Sequence, residues 1–108
     1  MSGTRFIPQF RELKPGEQRV YGVFEGVDCL NGRTIIRVRT GDTVLRAETA
    51  GLRNVEFIAY RAVTTDVACG PRIEPEPIYL TWRVAPEAPT RGTAIAIEIL
   101  PDGFAPEP

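Results

Sequence analysis

The chain has 108 residues, 43% of them hydrophobic and 25% charged, with a formal net charge of −1 and no histidine. That size holds one domain with its own core, and the composition is that of a folded chain, not a disordered one. The balanced charge excludes a global field for gathering nucleic acid or anionic membrane, and the lack of histidine removes the commonest general base and metal ligand.

Residues 1–17 contain FIPQF and the turn signal KPGE, which reads as an extended N-terminal arm carrying Phe6, Ile7 and Phe10. Three large apolar groups in so short a stretch are costly to leave in water, so the arm is expected to pack on the body of the domain. The body spans 18–100. QRVYGVFEGVDC is a long strand of β-branched and aromatic residues, interrupted by Gly22 and Gly26 where a strand coils or bulges. Asn31-Gly32 is a strong hairpin signal before the strand RTIIRVR, and TGDT turns the chain into VLRAE.

Centring a two-residue turn on Gly41-Asp42 pairs Arg39 with Val44, Val38 with Leu45, Arg37 with Arg46 and Ile36 with Ala47, which makes one face apolar. Carried back across Asn31-Gly32, the count sets Val27 opposite Ile36 and Cys29 opposite Thr34, both facing inward. It would also turn Glu25 inward, unless a bulge near Gly26 returns Phe24 to the core and sends Glu25 out towards Arg37.

AGLRNVEFIAYRAV fits either a short helix followed by a strand or one irregular strand, with the strand placed from Val55 to Tyr60. PIYLTWRVAP alternates Ile78, Leu80, Trp82 and Val84 against Tyr79, Thr81 and Arg83, with Trp82 in the core. GTAIAIEIL alternates Ile95, Ile97 and Ile99 against Ala94, Ala96 and Glu98. APEAPTRG is read as a hairpin loop too rich in proline for the ladder, and 101–108 as a flexible tail. The pattern is all-β: five or six short strands in a small barrel of the oligonucleotide-binding (OB) or SH3-like kind, with a small β-sandwich as the alternative.

Little in the chain carries catalytic chemistry. Glu74 and Glu76 stand in the proline-rich RIEPEP, read as a solvated loop unsuited to paired-acid chemistry, and no phosphate loop or nucleophile elbow occurs. The chain is therefore read as no enzyme, with no cofactor and no metal. The register does align Arg37 opposite Arg46 with Arg39 beside them. This is either an anion-binding face, with Tyr21 as a nearby stacking platform, or a solvated face neutralised by Glu25 and Glu48. Two cysteines without histidine cannot close a zinc site, and nothing in the sequence lowers a thiol pKa. Cys29 and Cys69 are then either two reduced thiols or one disulfide joining two strand ends.

YGVFEGVDC with NGRTIIRV, then ACGP before PIYLTWRV, and RGTAIAIEI at the end resemble small accessory β-barrel domains of bacterial proteins, often beside tetratricopeptide repeats. Those domains carry V-D-C and C-G-P motifs at these places. The resemblance covers about four fifths of the chain and implies an interaction module without an activity of its own. The expected function is binding a protein partner or self-association. The alternative is an OB-type binder of single-stranded nucleic acid or another polyanion through Arg37, Arg39 and Arg46. No membrane partner is expected. As written the chain reads as cytoplasmic, or as extracytoplasmic if it is part of a longer secreted protein.

Overall fold

The computed structural model describes residues 9–63 and 67–104, and its described part is all-β. Six strands follow in order: β1 (Gln18–Leu30), β2 (Arg33–Thr40), β3 (Thr43–Thr49), β4 (Glu56–Ala59), β5 (Gly70–Ala85) and β6 (Ala88–Ile99). A single 3-10 turn (Leu52–Asn54) precedes β4, so the ambiguous segment holds a helical turn and then a short strand.

β1, β2 and β3 form an antiparallel meander, and β5 returns to lie antiparallel to β1. β6 pairs antiparallel with β5 and, through Arg46↔Arg91 to Glu48↔Thr93, parallel with β3. The pairings thus run round a closed circuit of five strands, with β4 added in parallel along the far end of β6. One apolar cluster joins them. Phe24, Val27, Ile36, Val38 and Leu45 come from the meander, and Ile78, Leu80, Trp82, Ala94, Ile97 and Ile99 from β5 and β6.

Both hairpin registers match the residue pattern, including Arg37↔Arg46 and Val27↔Ile36. Asn31 and Gly32 take φ of 50° and 77°, the left-handed conformation that a tight turn between right-twisted strands requires. The ladder shifts between Phe24 and Gly26, which buries Phe24 completely and turns Glu25 outward. A Cβ at Gly26 would run into Pro71 and the Gly70 carbonyl, so glycine lets β5 approach where the strand kinks.

Three parts of the chain differ from expectation. RIEPEP is not a loop, since β5 runs through it with Phe24↔Glu76 and Gly26↔Pro71 in register, so that four residues, 72–75, bulge opposite Glu25. Glu76 is not solvated but buried, its Oε1 accepting from Arg72 Nε at 3.0 Å, while the Arg72 guanidinium also stacks on Phe24. APEAPTRG is mostly strand, leaving only Pro86 and Glu87 between β5 and β6.

The β6 alternation also breaks. A bulge between Thr81↔Ala96 and Trp82↔Ala94 leaves Ile95 unpaired and changes which parity faces the core. Ala94 points inward before the bulge and Ile97 and Ile99 after it. Glu98 then falls on the outer face, yet is fully buried because Tyr60 and the arm cover it.

Of the arm's expected apolar anchors, Phe10 packs edge-on against Tyr60, Tyr79 and Phe104, while Phe6 and Ile7 lie outside the described residues. The Arg11 backbone N–H donates to Glu98 Oε2 at 2.8 Å, and the Tyr60 hydroxyl donates to the same oxygen at 2.9 Å. The neighbouring Arg19 guanidinium donates to the Arg11 carbonyl, which holds the arm's backbone to β1. Phe104 packs on Phe10 and Tyr79, so residues 101–104 lie against the body.

Cys29 and Cys69 form a disulfide across 40 positions of sequence, with Cα atoms 5.7 Å apart. Cys29 does not face the core as its register suggested. It stands two residues past Val27, the last buried position of β1, and both cysteines are exposed.

Candidate functional site: an arginine-lined groove

β2, β3 and β6 bring Arg37, Arg46 and Arg91 into one row, each directly across a ladder from the next. Strands lie about 4.8 Å apart, so three guanidinium groups share roughly 10 Å of surface, an arrangement that costs stability in isolation. The members of the expected arginine face are not equivalent. Arg37 is paired with Asp28 (2.9 Å), and Arg39 with Glu25 (2.7 Å). The outward turn of Glu25 therefore serves Arg39 and not Arg37, because the β1 bulge sets Arg39 opposite Val23, two residues from Glu25 on the same face.

Arg33, at the start of β2, is paired with Glu48 at 2.5 Å. Hydrogen bonding to Arg33 holds the Glu48 carboxyl below its ordinary value, with a smaller contribution from the field of Arg91. Arg46 and Arg91 themselves form no hydrogen bond or ion pair with any described residue. Of the acids expected to neutralise this face, Glu25 pairs with Arg39 and Glu48 with Arg33, Arg37 takes Asp28 instead, and Arg46 stands apart.

Of these residues Arg33, Glu48 and Arg91 border a groove of about 690 Å³, whereas Arg37 and Arg39 lie outside it. Gly32 and Arg33 supply one wall, Glu48, Thr49 and Ala50 the end of β3, Val84, Ala85, Pro86 and Glu87 the β5–β6 hairpin, and Arg91 the near edge of β6. A smaller recess of about 210 Å³ continues from it past Ile35 to Arg46, sharing Arg33, Glu48, Arg91 and Gly92. A side chain at Gly92 would collide with the Arg83 carbonyl and the Trp82 ring, so glycine is needed where β6 passes closest to β5 beneath the groove.

Among the described residues no aromatic side chain lines either space. Tyr21, expected as a stacking platform, instead meets Tyr79 edge-on at 6.3 Å and belongs to the aromatic patch under the arm. Among the described residues no group of three or more His, Cys, Asp or Glu is placed to hold a metal.

Arg91 is the member of this site that residue patterns miss. It joins the row only through the parallel β3–β6 pairing, a long-range contact that no turn sequence specifies. The sole local hint is Gly92, next to a strand position that must lie close to another backbone. No protein-family model, curated protein or solved structure matches the chain.

Proposed function

We propose that this chain is a small non-enzymatic interaction module whose arginine-lined groove takes an acidic segment of a protein partner. The observation that carries the reading is Arg46 beside Arg91, two like charges in register that form no ion pair with a described residue, Glu48 nearby being paired with Arg33, where the smaller recess continues from the groove. A fold selected for stability alone would gain from replacing either one. An external carboxylate offsets the repulsion, and guanidinium groups suit it because they offer two parallel N–H donors. Val84, Ala85 and Pro86 add an apolar wall for the stems of neighbouring side chains.

The strand circuit supports a finer description of the fold. A three-stranded meander whose fourth partner returns beside the first is a Greek key, and closing β3 on β6 in parallel is consistent with a small barrel of OB connectivity, with β4 as an addition. In such barrels the second and third strands and the loops 1–2 and 4–5 form the ligand face. The position of the groove, between the Asn31-Gly32 turn and the β5–β6 hairpin, supports that reading.

Single-stranded nucleic acid is the weaker reading. Binding it without base readout relies on stacking platforms as well as charge, no aromatic among the described residues lines the groove, and Arg37 and Arg39 are already neutralised. The test is fluorescence anisotropy with a labelled glutamate-rich peptide and, separately, oligothymidylate of similar length, each across a salt series. The peptide should bind the native chain, and Arg46→Glu/Arg91→Glu should weaken it at least about tenfold while the melting temperature holds. Equal peptide binding by that variant sinks the reading. Tighter binding of the oligonucleotide, with a steep salt dependence, would replace it with the nucleic-acid one.

A further inference from the structure

The β5 bulge has the properties of a docking finger. Four residues, 72–75, stand opposite the single Glu25, and the buried pair Arg72–Glu76 closes their base at 2.5 Å. Pro71, Pro75 and Pro77 restrict the backbone on both sides of the tip. At that tip Ile73 is 80% exposed, the most exposed of the large hydrophobic side chains described, and the neighbouring Glu74 is exposed as well. Glu74 forms no ion pair with a described residue, and its field reaches Arg61. An apolar group held in water on a preordered loop, beside a free carboxylate, loses little entropy on docking.

Resting on the groove reading above, we infer that the acidic segment the groove accepts is the finger of a second copy of this chain. Ile73 would enter against Val84, Ala85 and Pro86, and Glu74 would meet Arg91 and Arg46. The finger offers one carboxylate beside one branched apolar group; the groove offers Arg91 and an apolar wall, with Glu48 and Glu87 also in its lining and Arg46 in the adjoining recess. The finger cannot reach its own groove, because both its ends are fixed in the β1–β5 ladder while the groove lies at the β3–β6 pairing. The contact is therefore heterologous, finger to groove, and each bound copy leaves one finger and one groove free for the next.

Sedimentation of the full chain over a concentration series tests this. The native chain should show a weight-average mass that keeps rising past the dimer. Glu74→Arg and Arg91→Glu should each stay monomeric alone, with self-association weakened at least about tenfold. Mixed in equal amounts they should associate again, since the native finger of one meets the native groove of the other and the reversed finger meets the reversed groove. Ile73→Ser should weaken association without changing charge. A native chain that stays monomeric, or a mass distribution unchanged by Glu74→Arg, overturns the inference. If the native chain is monomeric yet still binds the glutamate-rich peptide, the groove reading stands and the finger is not its ligand.

Discussion

Removing the Cys29–Cys69 disulfide should leave the native fold intact and lower its stability by a calculable amount. The bond spans 40 positions and encloses β2, β3 and β4, while the β1–β5 ladder beside it continues to Val27↔Gly70 without it. The constraint therefore acts mainly on the unfolded chain. Loop-closure entropy for a loop of this length gives about 4 kcal/mol at 25 °C. For a domain of this size that corresponds to a fall of about 15 °C in melting temperature. Urea unfolding of the oxidised chain, the reduced chain and Cys29→Ala/Cys69→Ala measures it, and each single alanine variant should lose nearly as much as the double. Both cysteines are exposed, so a dithiol reductant should reach the bond without prior unfolding. A loss below about 1 kcal/mol, or two free thiols on the unreduced unfolded protein, would refute the reasoning. Such a bond persists in oxidising compartments, so of the two placements expected from sequence the extracytoplasmic one preserves it.

Arg46→Glu should raise stability by about 0.5 kcal/mol, read by urea unfolding, because it breaks the like-charge row between Arg37 and Arg91. Glu98→Ala should cost about 3 kcal/mol, since it strands the Arg11 N–H, the Tyr60 hydroxyl and the nearby Arg19 without their buried acceptor. Burial, then the hydrogen bond to Glu98, pushes the Tyr60 hydroxyl up to about 12 from 10.0, so the folded chain holds a proton that the unfolded chain has lost. Stability should consequently fall as pH rises from about 10 towards 12, and ultraviolet titration should show one tyrosine ionising late. Glu17 has the opposite sign: Arg11 holds its carboxyl below the ordinary value, so its contribution is present above that value and is lost as pH falls through the lowered one. An acid-side loss that Arg11→Met does not reduce would contradict it.

The meander was legible because its information is local. Asn31-Gly32 and Gly41-Asp42 set the turns, and the apolar alternation of Ile36, Val38, Leu45 and Ala47 then leaves one register. The Phe24 bulge was legible for a related reason, since the unbulged register buries Glu25 against Val38. β5 and β6 were harder, because the evidence for their pairing lies in partners far along the chain. Pro71, Pro75 and Pro77 suggest a loop when taken alone, yet a bulge and a buried Arg72–Glu76 pair carry the strand through them. Glu98 suggests an outward position, and no periodicity reveals that the arm and Tyr60 cover it.

The same distinction accounts for the groove. Arg37 and Arg46 face each other through a hairpin, so a residue count finds them, but the acids it brings close, Glu25 and Glu48, pair with Arg39 and Arg33, and Arg37 pairs with Asp28. Arg91 enters from β6 by a parallel pairing three residues long. That pairing is where the strand circuit closes, and the groove opens beside it, between the Asn31-Gly32 turn, the end of β3 and the β5–β6 hairpin. Its charge then follows from the register: of the rows that cross the closure, one holds Arg37, Arg46 and Arg91 and the next on that face holds Ile35, Glu48 and Thr93. A one-residue slip of β6 against β3 would reverse which side of β6 faces outward and remove Arg91 from the row. Closure of the fold and assembly of the arginine row are thus the same structural event. A variant that weakens the β3–β6 pairing, such as Gly92→Val, should lose acidic-peptide binding and stability together. Arg91→Glu should lose binding alone.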